Sequence, residues 1–350
     1  MKISKIKINI PKKLIKTEPP LFKDNAKLMI FNKKTGKIIH EKLKNIIFFF
    51  KKNDLIIRNN TKSLPYELIG KKEKTKSIIK IFLLKEIRKK KNIWDTLVKP
   101  ARKVRIGNKI FFYNKKKKKI LTAEIIDNTT SRGRIIKFIN KKKKNIKKII
   151  KSISKIKIQK YINKNYLYNI QNYQNIYSKK KGSVLFPTSG IHFSKNLFLK
   201  LILKGINITD ITLHNNFYNI KKINIEDLSK YKISSEKLII KNKTCNIVNK
   251  TKKNNNNICC LGINTLKGIE YSINSKNNLI KYNGYINKFI YHPYKFNIAN
   301  SLISLFYYPK TISFIMLATF CGYDKIIKIY NEAIKKKYNF LSYGDLILIK

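Results

Sequence analysis

Between residues 66 and 148 the chain is broken into short runs whose texture suits strands. "YELIGKK", "KSIIKIFLLKEI", "IWDTLVKP", "KVRIGNKIFFY", "ILTAEIID" and "GRIIKFI" are β-patterned and divided by polar or Gly-containing turns. Turn signals recurring about every ten residues point to a small antiparallel barrel. No repeat of about 20–50 residues is visible, so a solenoid or propeller is not expected.

The flanking sequence has a different texture. "AKLMIFNKKTGKIIHEKL" reads as strand, turn and strand with Thr35 and Gly36 at the tip. "KNIIFFFKK" reads as a short helix, and "DLIIRNN" (54–60) as a buried strand. Helical and mixed patterns return after residue 150. "SKNLFLKLILKG" (194–205) is apolar at 197, 198, 199, 201, 202 and 203, with Ser194 placed to cap its start and Gly205 to stop it. "INITDITLH" then reads as a strand, giving the helix-to-strand alternation of α/β layers. "TISFIMLATFCG" and "DKIIKIYNEAIKKKY" read as helices before a last strand at "DLILIK", and the polar run "NKTKKNNNN" (249–257) as a loop between strands. The expected fold is mixed α/β. Residues 1–65 and 149–350 form a layered main domain, and 66–148 form the inserted antiparallel β-barrel.

Length and composition bound the function. A chain of 350 residues, 43% hydrophobic, can bury one large core or two ordinary ones. "NIIFFF" and "ISFIMLATFCG" are too short to cross a bilayer, and "MKISKIKINIPKKLIK" lacks the apolar centre of a signal peptide. A cytoplasmic protein, monomeric and without membrane attachment, is expected. Cys245, Cys259, Cys260 and Cys321 lack paired metal-ligand spacing, so no metal is expected. The adjacent Cys259 and Cys260 would face opposite sides of a strand. The net charge of +61 has two readings. Lys, Asn, Ile, Tyr and Phe are the residues of A- and T-rich codons, so the lysine runs can be solvated faces left by mutational bias. The same surface would also attract a polyanion and release its counterions.

"FPTSGIHFS" (186–194) places a short Gly-containing turn before a helix start, an arrangement that suits a carboxylate or a phosphate. His192 beside it can serve as acid or base near neutral pH. An ordinary capped helix start with a hydrogen-bonded histidine would read the same way.

Several words in the chain resemble the S-adenosylmethionine:tRNA ribosyltransferase-isomerase family of queuosine biosynthesis. "FPTSGIHFS" is similar to that family's Ala-Pro-Thr-Ala-Gly-Leu-His-Phe-Thr at Pro187, Thr188, Gly190, His192 and Phe193. "ITLH" matches at Thr212, Leu213 and His214, and "YQNIY" at Tyr173, Gln174 and Tyr177. "DLIIRNNTKSLP" keeps Asn59, Thr61 and Pro65, and "LVKP" keeps Leu97 to Pro100. The closing segment resembles the family through Ser342, Tyr343, Gly344 and Asp345. The resemblance implies an enzyme with S-adenosylmethionine as co-substrate, tRNA as partner and no bound cofactor. The ribosyl unit would pass to a 7-aminomethyl-7-deazaguanine in the anticodon and be isomerised to an epoxycyclopentane, releasing adenine and methionine. Such chemistry needs a base for the proton beside the sulfonium and an acid for the departing adenine. His192 and His214 are the candidates, with the order between them open. The resemblance places substrate contacts at Asn59, Thr61, Tyr173, Gln174, Thr188, Ser189, Gly190, Phe193, Lys267 and Glu270. Lys267 stands where the family has Arg and would hold a carboxylate as a point charge.

The chain also departs from the pattern. "NNFYNI" replaces a glycine-rich loop after His214, Ile263 replaces a Thr in "GINTLKGIE", and Asn60 stands where Asp is expected. In "LFYYPK", Leu305 and Tyr307 replace an amide and an imidazole. Two alternatives to an active transferase therefore remain: a family member that binds tRNA without efficient turnover, and an unrelated basic RNA-binding protein. A phosphate-binding Walker loop and a dinucleotide-binding glycine fingerprint are both absent from the sequence.

Overall fold

The computed structural model describes residues 6–63, 67–88, 91–114, 116–129, 133–140, 145–155, 161–162, 173–215 and 222–350. Pro65 and most of "NNFYNI" lie outside the described residues. The chain divides into two compact units, Met1–Ser63 with Lys160–Lys350, and Leu64–Gln159. The sequence-based boundaries stood at 65/66 and 148/149.

In chain order the larger unit begins with β1 (Lys27–Phe31), β2 (Ile38–Lys42), β3 (Leu55–Asn59) and the short β4 (Thr61–Ser63). The smaller unit holds β5 (Glu67–Lys72), β6 (Ile78–Arg88), β7 (Ile93–Lys99), β8 (Lys109–Tyr113), β9 (Lys119–Asn128), β10 (Gly133–Ile139) and helix α1 (Ile146–Ile153). The chain returns with β11 (Lys180–Ser183), α2 (Lys195–Leu203), β12 (Asn207–Leu213), β13 (Glu236–Ile240), α3 (Asn242–Lys253), β14 (Ile258–Leu261) and α4 (Ile263–Tyr271). It ends with β15 (Tyr282–Ile286), β16 (Ser301–Leu305), α5 (Ile312–Cys321), α6 (Tyr323–Lys335) and β17 (Leu346–Ile349).

The smaller unit is the expected barrel. Its six strands close in the order β10-β7-β6-β5-β8-β9, every pair antiparallel. Alternate residues point inward, and Leu68, Ile81, Ile110, Phe112, Leu121 and Phe138 fill the interior with Ile150 of α1. Gly70 is required there, since a Cβ would stand 2.7 Å from the Ile110 side chain and 2.9 Å from the Phe111 carbonyl.

The larger unit is a nine-stranded mixed sheet, ordered β15-β13-β12-β3-β14-β16-β17-β1-β2. Its centre is parallel: β12 beside β3, β3 beside β14, β14 beside β16. Central parallel strands are covered on both faces, which is why Leu55, Ile56 and Ile57 form an unbroken apolar run, all fully buried. Cys259 and Cys260 sit on β14 and do alternate. Cys259 packs with Leu197 and Phe198 of α2 on one face, and Cys260 with Leu266 and Ile269 of α4 on the other. Both are buried, because β14 has strands on either side and helices above and below.

Local chemistry sets several boundaries. Ser194 Oγ accepts the Leu197 N–H at 3.0 Å to start α2, and Gly205 turns the chain out with φ +84°. The segment "KNIIFFFKK" forms a 3-10 helix over Leu43–Phe49. One expectation is corrected: residues 249–253 are not loop but the last turns of α3, leaving only 254–257 as connection. Thr244, Cys245, Val248 and Thr251 form a buried stripe at helical spacing. Thr251 hides its hydroxyl by donating to the Ile247 carbonyl at 2.8 Å.

Candidate active site

The parallel strands β3, β12, β14 and β16 end at Asn59, Leu213, Leu261 and Leu305, along one edge of the sheet. In open α/β sheets the carboxyl ends of parallel strands are where ligands bind, because backbone turns leave polar groups there without ladder partners. Asn59 clamps two strand ends together. Its amide nitrogen donates to the Leu213 carbonyl at 2.9 Å, while its oxygen accepts the N–H groups of Leu213 at 3.0 Å and Thr61 at 3.2 Å. The Thr212 hydroxyl donates to Asn60 at 2.7 Å. These bonds deliver His214 to the edge in a fixed pose.

The His214 ring is held on two sides. Its Nδ1 lies 2.6 Å from the Thr61 hydroxyl, and its far edge rests on Gly182, where a Cβ would fall 2.5–2.7 Å from the ring atoms. Gly182 is in β11, which pairs in parallel with β4. Burial, and then the Lys237 ammonium, push the His214 pKa down to about 4.

The segment 173–190 closes around the same edge. Gln174 brackets the Ser63 backbone, donating to its carbonyl at 2.7 Å and accepting its N–H at 3.3 Å. Asn175 donates to the Pro187 carbonyl at 2.7 Å, and the Ser63 hydroxyl to the Leu185 carbonyl at 2.7 Å. The Tyr173 ring lies 5.3 Å from Phe186 and 5.8 Å from Tyr343. Thr188, Ser189 and Gly190 form one 3-10 turn. The Tyr177 hydroxyl presses on Gly190 so closely that no Cβ would fit. Ser189 Oγ lies 3.4 Å from the Tyr307 hydroxyl and packs on Gly262, where β14 passes into α4.

His192 follows this turn and is 1% exposed. Among the described residues neither of its ring nitrogens meets a hydrogen-bond partner. A buried polar group left unpaired costs about 1–3 kcal/mol, so the two ring nitrogens are groups that a ligand or a water molecule would pair. Burial, then the Lys23 charge, push its pKa down to about 4. The N-terminus of α2 is not open to an anion: the Asp24 carboxylate accepts the Ser194 N–H at 2.8 Å, while the Asp24 N–H donates to the His192 carbonyl at 2.8 Å.

The remaining sequence-based candidates have partners of their own. Lys267, 2% exposed, is ion-paired with Glu236 at the start of β13. Glu270 accepts the N–H groups of Asn297, Ile298 and Ala299 at 3.0, 2.9 and 3.2 Å, and so fastens the turn before β16. Phe193 is core, stacked 5.2 Å from Phe198. Asn59, Thr61, Tyr173, Gln174, Thr188, Ser189, Gly190 and His214 thus share one hydrogen-bonded and packed constellation, with His192 on the same turn. A cavity of about 470 Å³ lies elsewhere, lined by Ile38 and by α6 residues including Asp324, Ile327 and Glu332.

Set beside known proteins, the whole chain has counterparts. The family model described as "Queuosine biosynthesis protein" matches residues 3–349. The chain belongs to that family. Proteins named S-adenosylmethionine:tRNA ribosyltransferase-isomerase are 39% identical in Cytophaga hutchinsonii and 40% in Flavobacterium psychrophilum, each alignment covering 100% of both chains. The crystal structure of a Thermotoga maritima S-adenosylmethionine tRNA ribosyltransferase shares the fold, with a TM-score of 0.54, 24% identity, and coverage of 98% of this chain and 99% of that one.

Family membership makes the departures interpretable. Leu305, in place of an amide, closes β16 and is fully buried in the apolar layer with Phe193 and Leu346. Tyr307, in place of an imidazole, keeps a hydroxyl beside Ser189. Three residues escaped the sequence reading. Arg58 binds Asp210 at 2.8 Å and lies 4.5 Å over the Tyr177 ring and 4.8 Å over Phe198. Asp24 and Glu236 join it. Each has a partner distant in sequence, and no local pattern announces such pairs.

Proposed function

We propose that the chain transfers and isomerises the ribosyl unit of S-adenosylmethionine onto 7-aminomethyl-7-deazaguanine in a tRNA anticodon, giving epoxyqueuosine with release of adenine and methionine, in the cytoplasm. The observation that carries this reading is one buried and one half-buried imidazole, both neutral, in a chain that aligns end to end with the named transferases.

A base acting on carbon beside a sulfonium must be unprotonated while a positive charge sits nearby. With a pKa of about 4, His214 is neutral at pH 7 and stays so beside a cation. Its Nδ1 is engaged by Thr61 and its Nε2 edge packs on Gly182, so a substrate proton would reach Nε2 alongside that glycine. His192, with both nitrogens free of partners among the described residues, is the candidate to protonate or hydrogen-bond the leaving adenine. The Thr188–Gly190 turn and Tyr307 offer donors to ribose or carboxylate oxygens. Tyr173 and Phe186 offer aromatic surface to a base. The charge of +61 supplies the long-range attraction to tRNA.

One observation favours tRNA binding without efficient turnover. The Lys267 ammonium is closed off by Glu236 instead of standing open to a substrate carboxylate. The test is incubation of the purified protein with S-adenosylmethionine and tRNA carrying the aminomethyl-deazaguanine. Release of adenine together with a modified nucleoside, abolished in His214→Ala, is the expected result. Tight tRNA binding with no adenine above the His214→Ala background would replace the transferase reading with the binding one.

A further inference from the structure

We propose that Leu21 and Phe22 form an RNA-contacting tip, with the Phe22 ring stacking on a nucleobase next to the modified position. This rests on the reading that tRNA is the substrate. Leu21 is 92% exposed and Phe22 is 72% exposed. Scattered exposed apolar residues need no explanation. This pair differs in how it is held.

Pro19 and Pro20 precede it and restrict the backbone. Asp24 follows it with φ +69° and is tied down three times. Its N–H donates to the His192 carbonyl, its carbonyl accepts the Lys44 N–H, and its carboxylate accepts the Ser194 N–H, each at 2.8 Å. Successive Cα atoms lie about 3.8 Å apart, so the Phe22 Cα stands within about 8 Å of the residue that anchors the His192 turn. An apolar tip is therefore braced against the loop that carries a candidate catalytic imidazole.

The surroundings select the partner. Lys12, Lys13, Lys16 and Lys23, all exposed, lie on the same N-terminal segment, which suits a polyanion and not a second copy of a chain carrying +61. An enzyme that alters a base must hold it out of its stack, and aromatic or aliphatic side chains commonly fill or cover the gap. A phenyl ring stacks on any base face, so the contact is tolerant of sequence.

The test uses the full chain and an anticodon stem-loop RNA carrying the aminomethyl-deazaguanine. Phe22→Ala should raise the KM for RNA and the Kd from fluorescence anisotropy about 5- to 150-fold, the range expected for loss of one stacked base. The KM for S-adenosylmethionine should not move. Phe22→Trp should restore RNA affinity, and its added indole emission should be quenched by RNA. Leu203→Ala, which removes an equally exposed leucine from the end of α2, should change neither constant. An unchanged Kd for RNA in Phe22→Ala, or equal rises for RNA and S-adenosylmethionine, overturns the proposal. If the wild-type protein releases no adenine, the transferase reading fails. The anisotropy and quenching measurements still decide the tip.

Discussion

The two depressed histidines make the folding stability fall in mild acid by an amount that the structure sets. An unfolded chain takes up a proton on each imidazole near pH 6.5, whereas burial keeps His192 and His214 neutral down to about 4 in the folded protein. Between those values the unfolded state binds more protons, so stability rises with pH across the window and is lost as pH falls through it. From pH 7 to pH 5 the difference in binding amounts to about 1.5 pH units at His192, or roughly 2 kcal/mol at about 1.36 kcal/mol per unit. His214 is only half-buried and contributes less.

His192→Phe isolates the larger effect. The ring nitrogens of His192 have no partners to lose among the described residues, and Phe fills a similar volume, so stability at pH 7 should be retained or gained. Urea unfolding of wild type and variant at pH 7 and pH 5, at fixed ionic strength, should show the variant losing about 2 kcal/mol less over that interval. Parallel losses in the two proteins would mean that His192 is solvated or paired in solution, and its place in the site would go with that result.

The same depression shapes catalysis: kcat/KM should stay on its plateau through pH 6 and fall only toward pH 4, and an acid limb with an apparent pKa of 6.5 would refute a neutral base of depressed pKa. Replacing Gly182 by Ala drives a methyl group into the His214 ring, so single-turnover rates should drop at least about 10-fold while the KM for S-adenosylmethionine changes little; an unaffected rate would show that the ring can move without consequence. Lys267→Met takes the ammonium away from the buried Glu236 carboxylate and should cost about 3–5 kcal/mol in chemical denaturation, whereas Lys267→Met with Glu236→Leu should recover most of it; equal losses would mean the pair is not the coupled unit described.

What the sequence disclosed follows from how far each interaction reaches. Ser194 and Gly205 act within a turn of their own positions, and so the ends of α2 were legible. The alternation of Cys259 and Cys260 follows from the two-residue period of a strand. The barrel was legible because turn spacing is itself a local signal. Helix α3 was misread because its buried stripe is built partly of threonine, which a polarity pattern scores as loop until its hydroxyl is seen bonded to the helix backbone. Leu305 was expected in a polar setting through its alignment with an amide, and only the packing of Phe193 and Leu346 shows it to be core. Arg58 with Asp210, 152 residues apart, and Lys267 with Glu236, 31 apart, depend on strand order and could not be read from spacing.

Strand order also explains which acidic residues matter in a chain with 79 basic and only 18 acidic side chains. Carboxylates are scarce, yet several are committed to structural bonds between distant segments. Asp54 accepts the N–H groups of Lys51 and Asn257, and Asp345 those of Lys27 and Asn339. Glu270 gathers three, Asp24 takes the start of α2, and Asp210 and Glu236 neutralise half-buried or buried cations. A buried N–H or ammonium left without its acceptor costs more than a surface charge gains, so these positions resist replacement by lysine or asparagine even where composition favours it. An exposed carboxylate carries no such penalty. The net charge therefore measures how freely the surface could change, while the placement of the remaining acids marks the joints that hold the strand ends, and with them His192 and His214, in register.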